Sequence, residues 1–491
     1  RLNCKGSERK VYKAKLRVLS EEDIEKIHRA TLRILWKVGV MVKDPEARKI
    51  LKREGAKVDD QSMRVFIPPY MVEEAIRRAP KTFTVYGRDF DRKYVVDVDT
   101  LYYEPMIGRL FIYDFEKKSI RRTSLKDVEN LIKIADALPN YHLLHSGAIM
   151  PEIQGVPIGT SHAHGYLASL RNSTKVIKTS SREKLVAEDM VRMASVVAGG
   201  EEKLREKPIT FTTCNPVAPL QHDKEQTEGM RVFIKYGIPV DITSEPQAGA
   251  TAPITLAGLL TQQNADILSG IVIAEMDTPG APVWYGTCGA IMDMKVGRIA
   301  LGSIEAGLIN VASAQMAKFY GLPSRGTGAV TESKLIDFQA GMEVTQTLLF
   351  CALGGINLMF YPGCMEGGLA VSLERLVLDN EIAGFTYRAL KGINVDEETL
   401  AEEVIEKVGP SGHYLAQKHT LTHLKEEQYL PALLSREIRV KFEEAGGKSM
   451  ADRAHEEVLR ILDEHKVPPL KDGIEEELLR IVKEVEGRVK G

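Results

Sequence analysis

The sequence predicts an α/β protein whose core is a (β/α)8 barrel, with helical and β additions in front of it and a helical extension behind it. Three observations carry this. From about residue 123, short apolar runs alternate with helical stretches, the pattern of parallel strands joined by crossover helices. Successive runs start roughly 30–45 residues apart, which leaves room for one helix in each gap. The repeats carry no dinucleotide fingerprint, which favours a closed barrel over a doubly wound sheet.

The elements follow in chain order. Residues 18–55 predict two helices; LSEEDIEKIHRATLRILWKVGV offers Ser20 as a cap and apolar residues at three- and four-residue spacing. VFIPPY, TFTVYGRD, KYVVDVD and TLYYEPMIGRLFIYDFE then predict a small antiparallel layer. Together these form an expected cap over residues 1–122. The barrel is expected over 123–395. Seven of its strands are YHLLHSGAIMP (141–151), KVIKTSS (175–181), PITFTTCNP (208–216), PVDITSEP (239–246), PVWYGTCG (282–289), PSRGTGAVT (323–331) and INLMFYPG (356–363). An eighth comes either from the chain before 141 or from the chain after 408. Stretches such as REKLVAEDMVRMASVVAG and TLAGLLTQQNADILSGIVIAEM supply the helices between them. Residues 396–491 are charged and helical, as in GIEEELLRIVKEVEGRVKG. They are expected to wrap the barrel or to make a subunit contact in a homo-oligomer.

Composition excludes several classes of function. Hydrophobic residues are 44% and charged residues 27%, with a net charge of −2, so no basic surface invites nucleic acid or an anionic membrane. No apolar run is long enough to cross a bilayer, and the first residues lack the apolar centre of a secretory signal. The five cysteines, Cys4, Cys214, Cys288, Cys351 and Cys364, are widely spread with no CxxC pair. They read as free thiols in a reducing cytoplasm.

A barrel carries its chemistry at the C-terminal ends of its strands. Aromatic residues gather there. Trp284 and Tyr285 either help to hold a cation that cannot donate hydrogen bonds or pack within the strand, one inward and one outward. Glu245, Glu332 and Glu366 are isolated carboxylates among small and apolar residues, suited to a substrate cation or to backbone hydrogen bonds. Cys214, Cys288 and Cys364, with His145, offer an alternative in which zinc activates a thiol acceptor, although their spacing is not that of a zinc motif. The H-x-x-G of His162 to Gly165 lacks the preceding Asp of a corrinoid-binding motif. His419 and His423 are spaced to share a helix face, outside the barrel repeats. GLPSRGTG departs from the phosphate-binding pattern of a P-loop.

These strand ends, together with FYGLP, TESK and DFQAGMEVTQTLLFCALGGINLMFYPGCMEGGLAVSLERLVLDNEI, resemble the trimethylamine methyltransferase family. VKDPEARKILKREGA, KPITFTTCNPVAPL, PVWYGT and HYLAQKHTLTHLKEE extend the resemblance over nearly the whole chain. It implies a (β/α)8 barrel and methyl transfer from a methylated amine to the Co(I) of a separate corrinoid protein, with no tightly bound cofactor or metal in this chain. One branch of the family carries pyrrolysine in the loop between GLP and QAG, and that position falls here on Val330. A quaternary amine needs no such electrophile, so the resemblance implies glycine betaine or a related betaine as methyl donor. By this reading Trp284, Tyr285, Tyr102, Tyr103 and Tyr361 contribute to an aromatic cage. Glu366 or Glu245 supplies the balancing charge, and Arg325 or His145 meets a substrate carboxylate. Val330 and Glu332 line the loop, and Gly326 and Gly328 let it move. Trimethylamine remains the alternative donor.

Overall fold

The computed structural model describes residues 15–490, so Cys4 lies outside the described residues. Its centre is a single parallel sheet of eight strands. In chain order these are β1 (Tyr102–Glu104), β2 (Leu143–Leu144), β3 (Val176–Lys178), β4 (Thr210–Cys214), β5 (Val240–Ser244), β6 (Val283–Thr287), β7 (Ser324–Thr327) and β8 (Leu358–Phe360). Each pairs with the next from β2 to β8, and β8 pairs back with β1 through Leu358 opposite Tyr102. The ring closes where His142 N–H donates to the Tyr103 carbonyl (3.0 Å) and His145 N–H to the Pro105 carbonyl (3.3 Å). The seven expected strands are all present. The eighth lies before residue 141 and also before residue 123, so the barrel begins inside the segment expected to form the cap.

Helices fill the gaps as the repeat length requires. The longest is Leu256–Asp277 between β5 and β6. Its face toward the barrel and its face toward the N-terminal layer are both buried, which explains its near-continuous apolar sequence. In front of the barrel, helix Glu21–Lys37 starts at Ser20, whose side chain and that of Asp23 cap each other's backbone N–H groups. A hairpin of Phe83–Tyr86 and Lys93–Val96 covers the N-terminal end of the barrel. Behind it, Met450–Glu464 and Ile474–Lys490 lie against the barrel helices. His455 meets Glu374 (2.8 Å), His465 meets Asp136 (2.9 Å) and His164 meets Glu486 (2.8 Å) across that contact. The last two helices of the C-terminal extension therefore pack on the barrel helices.

Alternation along each strand sorts the barrel interior into layers. The bottom layer is apolar: Leu143, Val176, Phe211, Trp284 and Leu358 pack with Phe83, Val85 and Val96 of the covering hairpin. The middle layer is charged, with Glu104, Lys178, Asp241 and Arg325 all buried. The top layer, at the C-terminal mouth, is apolar again: Met106, Cys288, Val330, Phe360, Tyr361 and Cys364 form one cluster.

Close backbone approach explains Gly165 of the H-x-x-G run. A Cβ there would lie 2.3 Å from the carbonyl carbon of Gly147. Gly165→Ala is expected to lower stability by about 1–3 kcal/mol through overpacking, read from the urea midpoint. Gly341→Ala has open space around its helical position and is expected to raise stability by up to about 1 kcal/mol.

Candidate functional site

The middle layer is held by one side chain. Arg325 of β7 donates from Nε to Glu104 Oε2 of β1 (2.9 Å) and from Nη1 to Asp241 Oδ2 of β5 (2.8 Å). Its guanidinium also lies 3.5 Å from the centre of the Phe360 ring. Asp241 accepts further hydrogen bonds from Thr213 (3.1 Å) and Thr243 (2.6 Å). Gly286 of β6 leaves room for this packing, since a Cβ there would sit 1.9 Å from Thr243 Oγ1 and 2.3 Å from Asp241 Oδ1. Lys178 Nζ of β3 lies 3.4 Å from Glu104 Oε1. Two carboxylates and two cations thus balance within the barrel. Burial and the neighbouring Arg325 charge push the Lys178 ammonium down to about 8, against the pull of Glu104 and Asp241.

His145 borders this layer from the end of β2. Its Nδ1 accepts from the Gly108 N–H at 3.1 Å. Burial, then the charges of Lys178, Arg109 and Arg325, hold its pKa well below the ordinary value. The ring is therefore neutral near pH 7, and its N–H is on Nε2.

Above lies the mouth. Val330 is fully buried there, following Ala329 with its left-handed φ of 63°. Glu245, at the end of β5, is open to solvent yet surrounded by the mouth. Enclosure raises its pKa, and Arg109 opposes the rise. Arg109 lies in the loop after β1 with its guanidinium 5.2 Å from the centre of the Tyr361 ring. Tyr361 itself takes a φ of 97°, a strained conformation for a bulky residue. Glu332 accepts from the N–H groups of Leu301 (2.9 Å) and Gly302 (3.4 Å), and burial raises its pKa. It braces the loops around the mouth. Glu366 follows Cys364 in the loop after β8 with a left-handed φ of 54°, and its backbone N–H donates to the Ser333 carbonyl at 3.1 Å. That bond ties its loop to the segment that carries Val330 and Glu332.

The family model described as trimethylamine methyltransferase (MTTB) matches residues 5–487. The chain belongs to the trimethylamine methyltransferase family. It is 39% identical over 423 residues to a glycine betaine methyltransferase of Desulfitobacterium hafniense strain Y51, covering 86% of this chain and 87% of that one. It is 34% identical over 476 residues to a trimethylamine methyltransferase of Desulfitobacterium hafniense strain DCB-2, covering 95% and 93%. It is 35% identical over 482 residues to a trimethylamine methyltransferase of Methanosarcina barkeri strain Fusaro, covering 97% and 96%. The protein is a methyltransferase.

Within this member of the family, several expected site residues lie elsewhere. Trp284 points into the bottom layer, with Phe83 edge-on at 4.7 Å between ring centres. Tyr285 points out of the barrel and donates to Asn264 Oδ1 at 2.8 Å. Tyr102 packs at the bottom and donates to the Val95 carbonyl at 2.9 Å, while Tyr103 faces outward to Thr386 and Tyr387. Only Tyr361 of the five aromatics is at the mouth, and a guanidinium already lies over its ring. The aromatic cage is therefore not formed as expected. Depth and parity are the reasons: Trp284 and Tyr102 sit too low on their strands, and Tyr285 and Tyr103, one place further along, face the other way. Arg325 is committed to two carboxylates, leaving Nη2 as its unpaired group. Gly326 and Gly328 are packed rather than free. A Cβ on Gly326 would lie 2.3 Å from Asn310 Oδ1, and one on Gly328 would lie 3.1 Å from Met359 Sδ.

The zinc-thiolate alternative also fails. Cys214 faces the helices and packs in the main core, whereas Cys288 and Cys364 are at the mouth. Burial raises all three thiol pKa values, that of Cys364 to about 11. No cluster of three or more His, Cys, Asp or Glu suited to a metal occurs among the described residues.

Glu104, Lys178 and Asp241 in the middle layer and Arg109 at the mouth are charged groups that the strand-end reading of the sequence does not include. Glu104→Gln is expected to destabilise the protein by about 3–5 kcal/mol at pH 7, because it leaves buried cations short of a counter-charge. Lys178 is charged below about pH 8 and neutral above it in the folded state. The loss at about pH 9 is therefore expected to be smaller than at pH 7, as read from denaturant midpoints at the two pH values.

Proposed function

We propose that this methyltransferase takes a methyl group from a quaternary amine of the betaine class and passes it to the Co(I) of a corrinoid carried by a separate protein. The observation that carries this is the buried Val330 in an apolar mouth layer, at the position where the resemblance places an electrophilic residue. Methyl transfer breaks the C–N bond, and the bonding electron pair stays on nitrogen. From a quaternary donor the leaving group is a neutral tertiary amine, which needs neither a proton nor an adduct. From trimethylamine the leaving group would be an amide anion unless nitrogen first gained a fourth substituent. The proton that trimethylamine carries in water is disfavoured by desolvation in the apolar mouth, and valine cannot supply an adduct in its place.

The chain's residues suit a cofactor that arrives on a partner. The lower two layers of the barrel are filled by Trp284, Phe211, Arg325 and their neighbours, all buried. The partner's corrinoid would supply the nucleophilic Co(I). The task left to this chain is positioning: to hold one methyl toward the open end, to keep water from the others and to balance the ammonium charge. Met106, Val330 and Cys288 offer the apolar wall. Glu245 is the solvent-open carboxylate beside that wall, close enough to act on Cys288. It supports the charge-balancing part better than Glu366, whose loop is held to the Val330 segment by its backbone.

The test is methyl transfer to a Co(I) corrinoid protein, followed by decay of the Co(I) absorbance. The donors are glycine betaine, proline betaine, carnitine, choline, trimethylamine and dimethylamine. Turnover of a quaternary donor with none of trimethylamine is expected. Turnover of trimethylamine would contradict the leaving-group argument. Glu245→Gln is expected to lower kcat/KM for the quaternary donor by about 10- to 100-fold, the effect of losing one charged contact.

A further inference from the structure

Arg325, Arg375 and Arg231 are arginines withdrawn from solvent, and each meets carboxylate: Glu104 and Asp241, Asp379, and Asp44 and Asp277. Arg109 differs. The groups its guanidinium meets are the Tyr361 hydroxyl and the Cys364 thiol, not a carboxylate, and its Nε is buried without a hydrogen-bond partner. Burial keeps both the hydroxyl and the thiol protonated, so neither balances its charge. Arg109 is half-buried, and a guanidinium partly withdrawn from water with no anion in contact is costly, which makes it a candidate site for an anionic ligand.

Glu245 feels the Arg109 charge only at a distance. The mouth therefore presents one cation and one anion that do not neutralise each other by contact. Tyr361 lies beside Arg109, whose guanidinium is 5.2 Å from its ring centre, and Cys288 lies beside Glu245, its backbone N–H donating to the carbonyl of the adjacent Ser244 at 2.8 Å. Tyr361 and Cys288 belong to the same mouth cluster. A bare ammonium ion would satisfy Glu245 and leave Arg109 unbalanced. A zwitterion with a carboxylate a few bonds from its ammonium group would satisfy both.

We propose that Arg109 is the specificity-determining residue that binds the carboxylate of a betaine substrate, with Glu245 facing the ammonium end. The inference rests on the quaternary-amine reading above and adds to it a residue and a required functional group. The fork of N–H groups on Arg109 matches a carboxylate geometrically. It replaces Arg325, whose fork is already shared between Glu104 and Asp241.

Equilibrium binding to the full chain, measured by calorimetry, separates the two claims. The probes are glycine betaine and tetramethylammonium, which lacks the carboxylate. The wild-type chain is expected to prefer glycine betaine by about 100-fold, the scale of a buried charged contact. Arg109→Gln is expected to remove that preference while leaving tetramethylammonium affinity unchanged. Arg109→Lys, which keeps the charge and loses the fork, is expected to give a smaller loss confined to glycine betaine, and it serves if the glutamine variant does not fold. Equal wild-type affinity for the two probes would overturn the role of Arg109 and leave the quaternary-amine reading standing. Equal weakening of both probes in either variant would do the same. Binding of neither probe by the wild-type chain would overturn both.

Discussion

The bridge from Arg325 to Glu104 and Asp241 is the constraint on which the rest of the site depends. It ties strands β1, β5 and β7 across the barrel, and it requires glycine at 286 on β6 to make room. With Lys178 it forms a floor of two positive and two negative charges. A buried arrangement of this kind is not a source of net stability, since desolvation offsets most of the attraction. Its consequence is geometric and electrostatic. The floor cannot shift without stranding a charge, and it presents little net field to a ligand above it. An SN2 reaction that disperses a substrate's positive charge gains nothing from a site that stabilises the cation strongly in its ground state. The balanced floor adds nothing to that penalty, and the one charged contact proposed for the ammonium group, Glu245, acts through binding and so through kcat/KM.

The barrel is legible in the sequence because seven strands and their helices repeat at a near-constant interval, and each strand is a short apolar run. The strand β1 is not. It is three residues long, and a hairpin at Phe111–Arg122 separates it from the first barrel helix, so it reads as part of the preceding β-rich segment. Arg109 was missed for that reason, since it follows an uncounted strand. Glu245 and Tyr361 lie at the mouth as expected because their strands are correctly placed.

The side-chain directions are the harder part. Trp284 and Tyr285 sit on a correctly expected strand, yet the first is too far down it and the second faces outward. Position along a strand and parity both matter, and neither follows from composition. The partners of Arg325 are also hidden, because Glu104 and Asp241 are 221 and 84 residues away in the chain. Local pattern can propose an arginine at a strand end. It cannot show that the arginine is already engaged.

By the reading proposed above, the mouth over the charged floor holds a quaternary zwitterion with one methyl directed outward. A crystal structure of the chain with glycine betaine bound tests it most directly. The ammonium group is expected in the apolar layer of Met106, Cys288 and Val330, with a methyl toward the open end. A ligand bound outside the barrel, or inside it with every methyl turned toward Arg325, would rule out methyl transfer to a corrinoid docked at the mouth.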